Sequence, residues 1–180
     1  MDYIKFYSHT DPMPRKKFSQ LYSIMEYSFP ATERGSEAFH YSEYKRPEFR
    51  CMCYEPQGVP AGFLNYYDME DAATIFVEHF AMEPSLRGRG TGSDMLRCFL
   101  DSAADSLVVL EVEPPDGDME KRRIAFYQRI GLILNPGEYF QPEFYGKSAS
   151  IPLMLMTNKP ISDSEFEDIK QLIHKRIYLK

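Results

Sequence analysis

The sequence predicts a mixed α/β fold, with a mostly antiparallel central sheet and helices on both of its faces. Three observations carry that prediction. The apolar period switches along the chain between helical and strand-like, in the order β, two helices, an antiparallel β run, β–α–β–α, and a closing strand and helix. The 180 residues are 43% hydrophobic and 27% charged, which is enough for one sizeable core and shows no break that would divide residues 1–180 into two domains. The stretch LRGRGTG, residues 86–92, places glycines at 88, 90 and 92 where a strand gives way to a helix.

The elements follow in order. A first strand is predicted over 3–7. After Pro14, the residues Phe18, Leu21, Tyr22, Met25 and Phe29 recur at helical spacing, and Pro30 stops them. A short helix over 36–44 has a weaker pattern. Residues 49–54 and 62–67 read as a hairpin joined by the turn-rich Glu55-Pro-Gln-Gly58, and ATIFVEHFAM, 73–82, reads as the next strand. Met95, Leu96, Phe99, Leu100 and Ala103 then mark one helix face, which puts the glycines at that helix's N-terminus. LVVLEVE, 107–113, reads as a buried strand, and 118–130 as a helix closed by Gly131. A Pro- and Tyr-rich loop over 135–146 and a strand over 151–156 lead to the last helix. That helix opens on a Ser162-x-x-Glu165 capping box and turns Phe166, Ile169, Leu172 and Ile173 inward.

Composition excludes several classes. No apolar run approaches the roughly 18 residues of a membrane span. The N-terminal MDYIKFYSHTDPMPRKK has no apolar signal core, so a cytoplasmic protein is expected. Cys51, Cys53 and Cys98 are an odd set without disulfide or metal spacing, as suits thiols in a reducing compartment, placed in a strand and a helix. A net charge of −6 argues against a general nucleic-acid surface.

A strand that stops before a helix leaves backbone N–H groups unpaired, backed by the positive end of the helix dipole, and such a terminus binds anions. Glycines at 88, 90 and 92 clear side chains from the approach and permit left-handed backbone; Arg87 and Arg89 add charge. A Walker loop requires Gly-Lys-Ser/Thr, and here Ser93 and Asp94 follow Gly92. A dinucleotide fingerprint requires a glycine at 93 and an early position in a βαβ unit.

Arg87-x-x-Gly90-x-Gly92 resembles the Arg/Gln-x-x-Gly-x-Gly/Ala pyrophosphate loop of the GNAT superfamily of acyl-CoA-dependent N-acyltransferases. The flanks VEHFAMEPSLRGRGTGSDML and RRIAFYQRIGL are similar to that family's strand–loop–helix and to its next helix, which ends in Phe-Tyr-x-x-x-Gly. The resemblance is strongest over 74–132 and implies the following. The sheet opens at a V-shaped cleft before the loop. Backbone groups of Phe80, Ala81 and Met82 pair with the pantetheine arm of acetyl-CoA, and one N–H there polarises the thioester carbonyl. Arg87, Gly88, Arg89, Gly90, Thr91, Gly92 and Ser93 hold the pyrophosphate. No metal is involved. Glu78 is the first choice for the base that takes the amine's proton, with Glu111 on the adjacent strand as competitor; His79 faces away from Glu78 if the strand is regular. Tyr127 stands at the general-acid position. Two departures stand out: Glu120 replaces a common asparagine, and Arg123 replaces a common alanine and is free to reach a phosphate or the acceptor.

The activity so implied is transfer of an acetyl group to a primary amine of a small molecule or peptide, by a monomer or homodimer, without nucleic acid or membrane. An acyl-CoA-binding sensor or interaction module without turnover is the alternative. Aromatic residues of the first helices (Tyr22, Tyr27, Phe29, Phe39, Tyr41) and the late loop (Tyr139, Phe140, Phe144, Tyr145), with Glu26, Glu33, Glu37 and Glu138, would suit a cationic acceptor.

Overall fold

The computed structural model describes residues 3–31, 34–142 and 150–178. They form two compact units, Met1–Ser106 and Leu107–Lys180.

In the first unit, strands β1 (Ile4–Ser8), β2 (Phe49–Tyr54), β3 (Gly62–Met69) and β4 (Thr74–Met82) make an antiparallel meander. The predicted turn between β2 and β3 holds Gln57 at φ 56° and Gly58 at φ 79°, both in left-handed backbone. Helix α1 (Arg15–Ser28) starts after Pro14, buries Phe18, Leu21, Tyr22, Ile24 and Met25, and packs on β3 and β4. Lys17 anchors it: Nζ lies 2.6 Å from Glu55 Oε2, while Tyr7 donates to Glu55 Oε1 at 2.7 Å. Helix α2 (Glu37–Ser42) is shorter than the predicted 36–44. Ser36 caps it by accepting the Phe39 N–H at 3.1 Å, and from Glu43 the chain tightens into a 3₁₀ turn, Glu43–Lys45.

Neighbouring residues of β3 show how helices cover both faces of this meander. Successive strand side chains point oppositely. Tyr67 meets Phe49, which meets Tyr44, which meets Phe18 of α1, with ring centroids 5.6, 5.0 and 6.0 Å apart. Tyr66 instead meets Phe99 of helix α3 (Thr91–Ser102), 5.0 Å away. Cys51 and Cys53 are buried free thiols in β2, and Cys98 is a half-buried one in α3.

In the second unit, β8 (Ile151–Thr157) pairs antiparallel with β5 (Leu107–Val112), β6 (Ile133–Leu134) and β7 (Tyr139–Gln141). The strands β6 and β7 are additions to the sequence reading, and β7 occupies part of the expected loop over 135–146. Both are too short to show a period. Helix α4 (Asp118–Arg129) ends as Gly131 predicts: at φ 105° it gives its N–H to Gln128 O at 3.0 Å, and Leu132 gives its N–H to Tyr127 O at 3.1 Å. Helix α5 (Asp163–Ile173) opens on the expected capping box and buries Phe166, Ile169 and Ile173, with Leu172 half-buried. Among the described residues no helix is long and apolar enough to cross a membrane.

Candidate active site

Beyond β4 the backbone turns through Gly88 at φ 72° and Gly90 at φ 86°. Gly90 is the N-cap of α3 and supplies no side-chain hydrogen bond; the Asp94 N–H makes the helix's first backbone bond, to Gly90 O at 3.0 Å. The N–H groups of Thr91, Gly92 and Ser93 therefore have no acceptor within the helix. A Cβ at 88 or 90 would stand in open space, so the approach is bare. A Cβ at 92 would lie 3.2 Å from Met82 Cγ and 3.5 Å from Phe80 Cζ. Glycine thus lets the first turn of α3 sit against the end of β4.

The two arginines divide the work. Arg87 Nε donates to Met82 O at 3.0 Å, Nη2 donates to Ser28 Oγ at 2.9 Å, and the guanidinium lies 5.4 Å over the Tyr27 ring. Arg87 therefore ties the loop to the end of α1, and the exposed Arg89 carries positive charge at the loop's surface.

Strand β4 contains a bulge. Asn65 faces His79 and Tyr66 faces Val77, so Glu78 is an extra residue with no Cα partner on β3. The expectation that His79 faces away from Glu78 is thereby overturned: the alternation breaks there, and His79 Nδ1 lies 3.4 Å from Glu78 Oε2. Both side chains are nearly buried, 5% and 7% exposed. His40, from α2, completes the group; potential ligand atoms of His40, Glu78 and His79 all lie within 4.8 Å of one another. Burial pushes the His40 imidazole down to about 4, against the pull of the Glu78 charge. Its Nε2 accepts the Gly35 N–H at 3.2 Å. Sequence reasoning missed His40, because nothing in the weak helical pattern of 36–44 ties it to a strand nearly forty residues later.

In the second unit, Tyr127 occupies the last turn of α4, half-buried, with its ring 5.3 Å from Phe126. Desolvation pushes its phenol up to about 12, and the nearby Arg123 charge offsets part of that. Arg123 itself is engaged by Glu113, to whose Oε2 it donates. Glu111 lies in a dense network: Tyr139 OH donates to Oε1, while Tyr178 OH (2.7 Å) and Gln141 Nε2 (3.0 Å) donate to Oε2. Burial and the Glu111 charge raise the phenols of Tyr139 and Tyr178 well above their usual range. Tyr139 is thus a buried partner of Glu111 and no acceptor wall, whereas Tyr27 and Phe140 are exposed. Glu33, Phe144 and Tyr145 lie outside the described residues.

Residues 18–132 match the family described as Acetyltransferase (GNAT) family. Among solved structures, a Bacteroides thetaiotaomicron protein described as a GNAT-family acetyltransferase superposes with a TM-score of 0.85, at 28% identity over 97% of each chain. A spermidine N-acetyltransferase chimera from Vibrio cholerae gives 0.63 at 12% identity, covering 92% of this chain and 99% of that one. The ribosomal-protein-S18-alanine N-acetyltransferase of Escherichia coli gives 0.60 at 15% identity, covering 89% and 97%. The last two share the fold alone. No curated protein matches the chain by sequence.

Proposed function

The chain belongs to the acetyltransferase (GNAT) family, and on that premise we propose that it is a cytoplasmic N-acetyltransferase, moving the acetyl group of acetyl-CoA to a primary amine of a small molecule or peptide. Residues 1–180 act as one catalytic domain. The observation that carries the reading is the uncapped N-terminus of α3 behind Gly88 and Gly90, whose free N–H groups and open approach suit a diphosphate. Phe80 and Met82, whose side chains flank Gly92, and Ala81 between them offer backbone to the pantetheine arm.

Acetyl-CoA brings the activated acetyl thioester; the protein's work is at two protons, and it needs no metal. An alkylamine with a pKa of about 10 is roughly one part in a thousand neutral at pH 7. Glu78 takes up the proton that the rest must lose. Tyr127 faces the opposite problem. With its phenol at about 12 it stays protonated throughout the working range. Full transfer to a thiolate of pKa about 8.5 would run uphill by about 3.5 units, so Tyr127 contributes by donating a hydrogen bond to the sulfur as charge develops.

Thiol release from acetyl-CoA, measured with a panel of primary amines, tests this. Glu78→Gln is expected to lower kcat/KM by about 10²–10⁴-fold at pH 7 and to recover as pH nears the amine's own pKa. Tyr127→Phe is expected to lower kcat by about 10²-fold with KM for acetyl-CoA little changed. Binding of acetyl-CoA with no thiol released by any amine would favour the non-catalytic module.

A further inference from the structure

Glu78 and His79 are consecutive residues, and in a regular strand their side chains would point to opposite faces. The β4 bulge brings them together instead, with His79 Nδ1 3.4 Å from Glu78 Oε2. His40 adds a third donor from α2, and one potential ligand atom of each residue lies within 4.8 Å of the other two. All three side chains are nearly or wholly buried. His79 Nδ1 is withdrawn from solvent and has no hydrogen-bond partner among the described residues. A buried polar atom in that state carries a desolvation cost, which coordination to a cation would offset.

The spacing suits a small divalent ion. Ligand atoms about 2.0–2.2 Å from a tetrahedral metal stand roughly 3.4 Å apart, and the Glu78–His79 pair already meets that separation. His40 has to close by at most 1.4 Å, from 4.8 to 3.4 Å. Two imidazoles and one carboxylate select a transition ion such as Zn²⁺ or Co²⁺ over Mg²⁺ or Ca²⁺, which take oxygen ligands. With its imidazole at about 4, His40 is neutral at pH 7 and presents a lone pair without first losing a proton. The Arg34 charge, which reaches His40, is paired with Glu26.

We propose that His40, Glu78 and His79 form a binding site for Zn²⁺ or a similar transition ion, and that the ion switches acetyl transfer off. The inhibition rests on the reading of Glu78 as the base: a carboxylate bound to a dication is held ionised and no longer takes the amine's proton. The site itself makes a separate demand. A neutral imidazole has one lone pair, and His40 Nε2 accepts the Gly35 N–H with it at 3.2 Å. Whichever ring nitrogen binds the ion, that lone pair is taken and the Gly35 contact opens.

The full chain, stripped of metal with a chelator, is titrated with Zn²⁺ against a chromophoric competitor, with Co²⁺ as the spectroscopic probe. One equivalent of either ion is expected to bind. Co²⁺ is expected to show tetrahedral absorption without thiolate charge-transfer bands, which separates the site from Cys51, Cys53 and Cys98. His40→Asn, Glu78→Gln and His79→Gln are each expected to weaken Zn²⁺ at least about a hundredfold in folded protein. Hydrogen exchange at the Gly35 amide is expected to quicken when Zn²⁺ binds. That measurement uses the unaltered chain, so it decides even where a substitution prevents folding. No stoichiometric binding, thiolate bands, binding that survives any one of the substitutions, or unchanged Gly35 exchange overturns the site. Zn²⁺ binding that meets these tests while acetyl transfer continues undiminished leaves the site standing and refutes Glu78 as the base.

Discussion

A carboxylate that accepts from three side-chain donors is poorly suited to take a proton, and that is the condition of Glu111. Protonating it would turn an acceptor oxygen toward a donor and strand Tyr139, Tyr178 or Gln141 in a buried site. Glu111 therefore serves the second unit as an anchor between β5, β7 and the chain's C-terminal turn. Glu111→Gln is expected to cost about 1–3 kcal/mol of stability, since an amide keeps the shape but offers one acceptor oxygen instead of two. Urea denaturation reads that loss. The same variant, assayed where it is folded, is expected to retain kcat within about threefold, well short of the 10²-fold or more that removing a general base costs. A larger loss would restore Glu111 as the base. From the sequence Glu78 was the first choice and Glu111 its competitor, with nothing local to exclude either. What separates them is the pairing of β7 with β8, which brings Tyr139 and Gln141 to Glu111 and has no local signal.

At the scale of elements, the strand–loop–helix from β4 to α3 was legible because its requirements are local. Glycines at 88 and 90 meet the left-handed backbone, and the apolar set from Met95 marks the helix that follows. The β4 bulge was not legible. It depends on how β3 and β4 align, and VEHF shows unbroken strand character. The loop also permits a controlled test. Gly90 (φ 86°) and Gly58 (φ 79°) share nearly the same backbone conformation, and a Cβ at either meets nothing within 4 Å. Alanine at either site should carry a similar strain of about 1–2 kcal/mol. Only at 90 would the new methyl stand in the approach of the diphosphate proposed to bind there. Gly90→Ala is expected to weaken acetyl-CoA binding about tenfold by calorimetry, and Gly58→Ala to leave it unchanged. Equal effects from the two would mean that strain, and not the cradle, controls affinity.

For the whole molecule, the buried titratable groups set a pH range of stability, and His40 has a signature there. In the unfolded chain His40 titrates at 6.5, and in the folded one at about 4. Between those values the unfolded state binds the extra proton, so stability is complete above 6.5 and is lost as pH falls toward 4, by about 3 kcal/mol in all. His174 of the second unit shifts in the same direction. Tyr7, Tyr66 and Cys51 have the opposite sense: burial raises each to about 12, from 10.0 for the tyrosines and 9.0 for the thiol. Their contribution is present below those ordinary values and disappears as pH climbs through about 12, because only the unfolded chain can ionise freely. Thermal unfolding is therefore expected to peak between about pH 6.5 and 9 and to fall on both sides. Carboxylates also contribute below about pH 5, so the decisive quantity is the difference between wild type and His40→Asn. The variant lacks the imidazole and is expected to lose less stability than wild type between pH 6.5 and 4.5. Parallel curves over that interval would show that protonation of His40 does not govern the acid side.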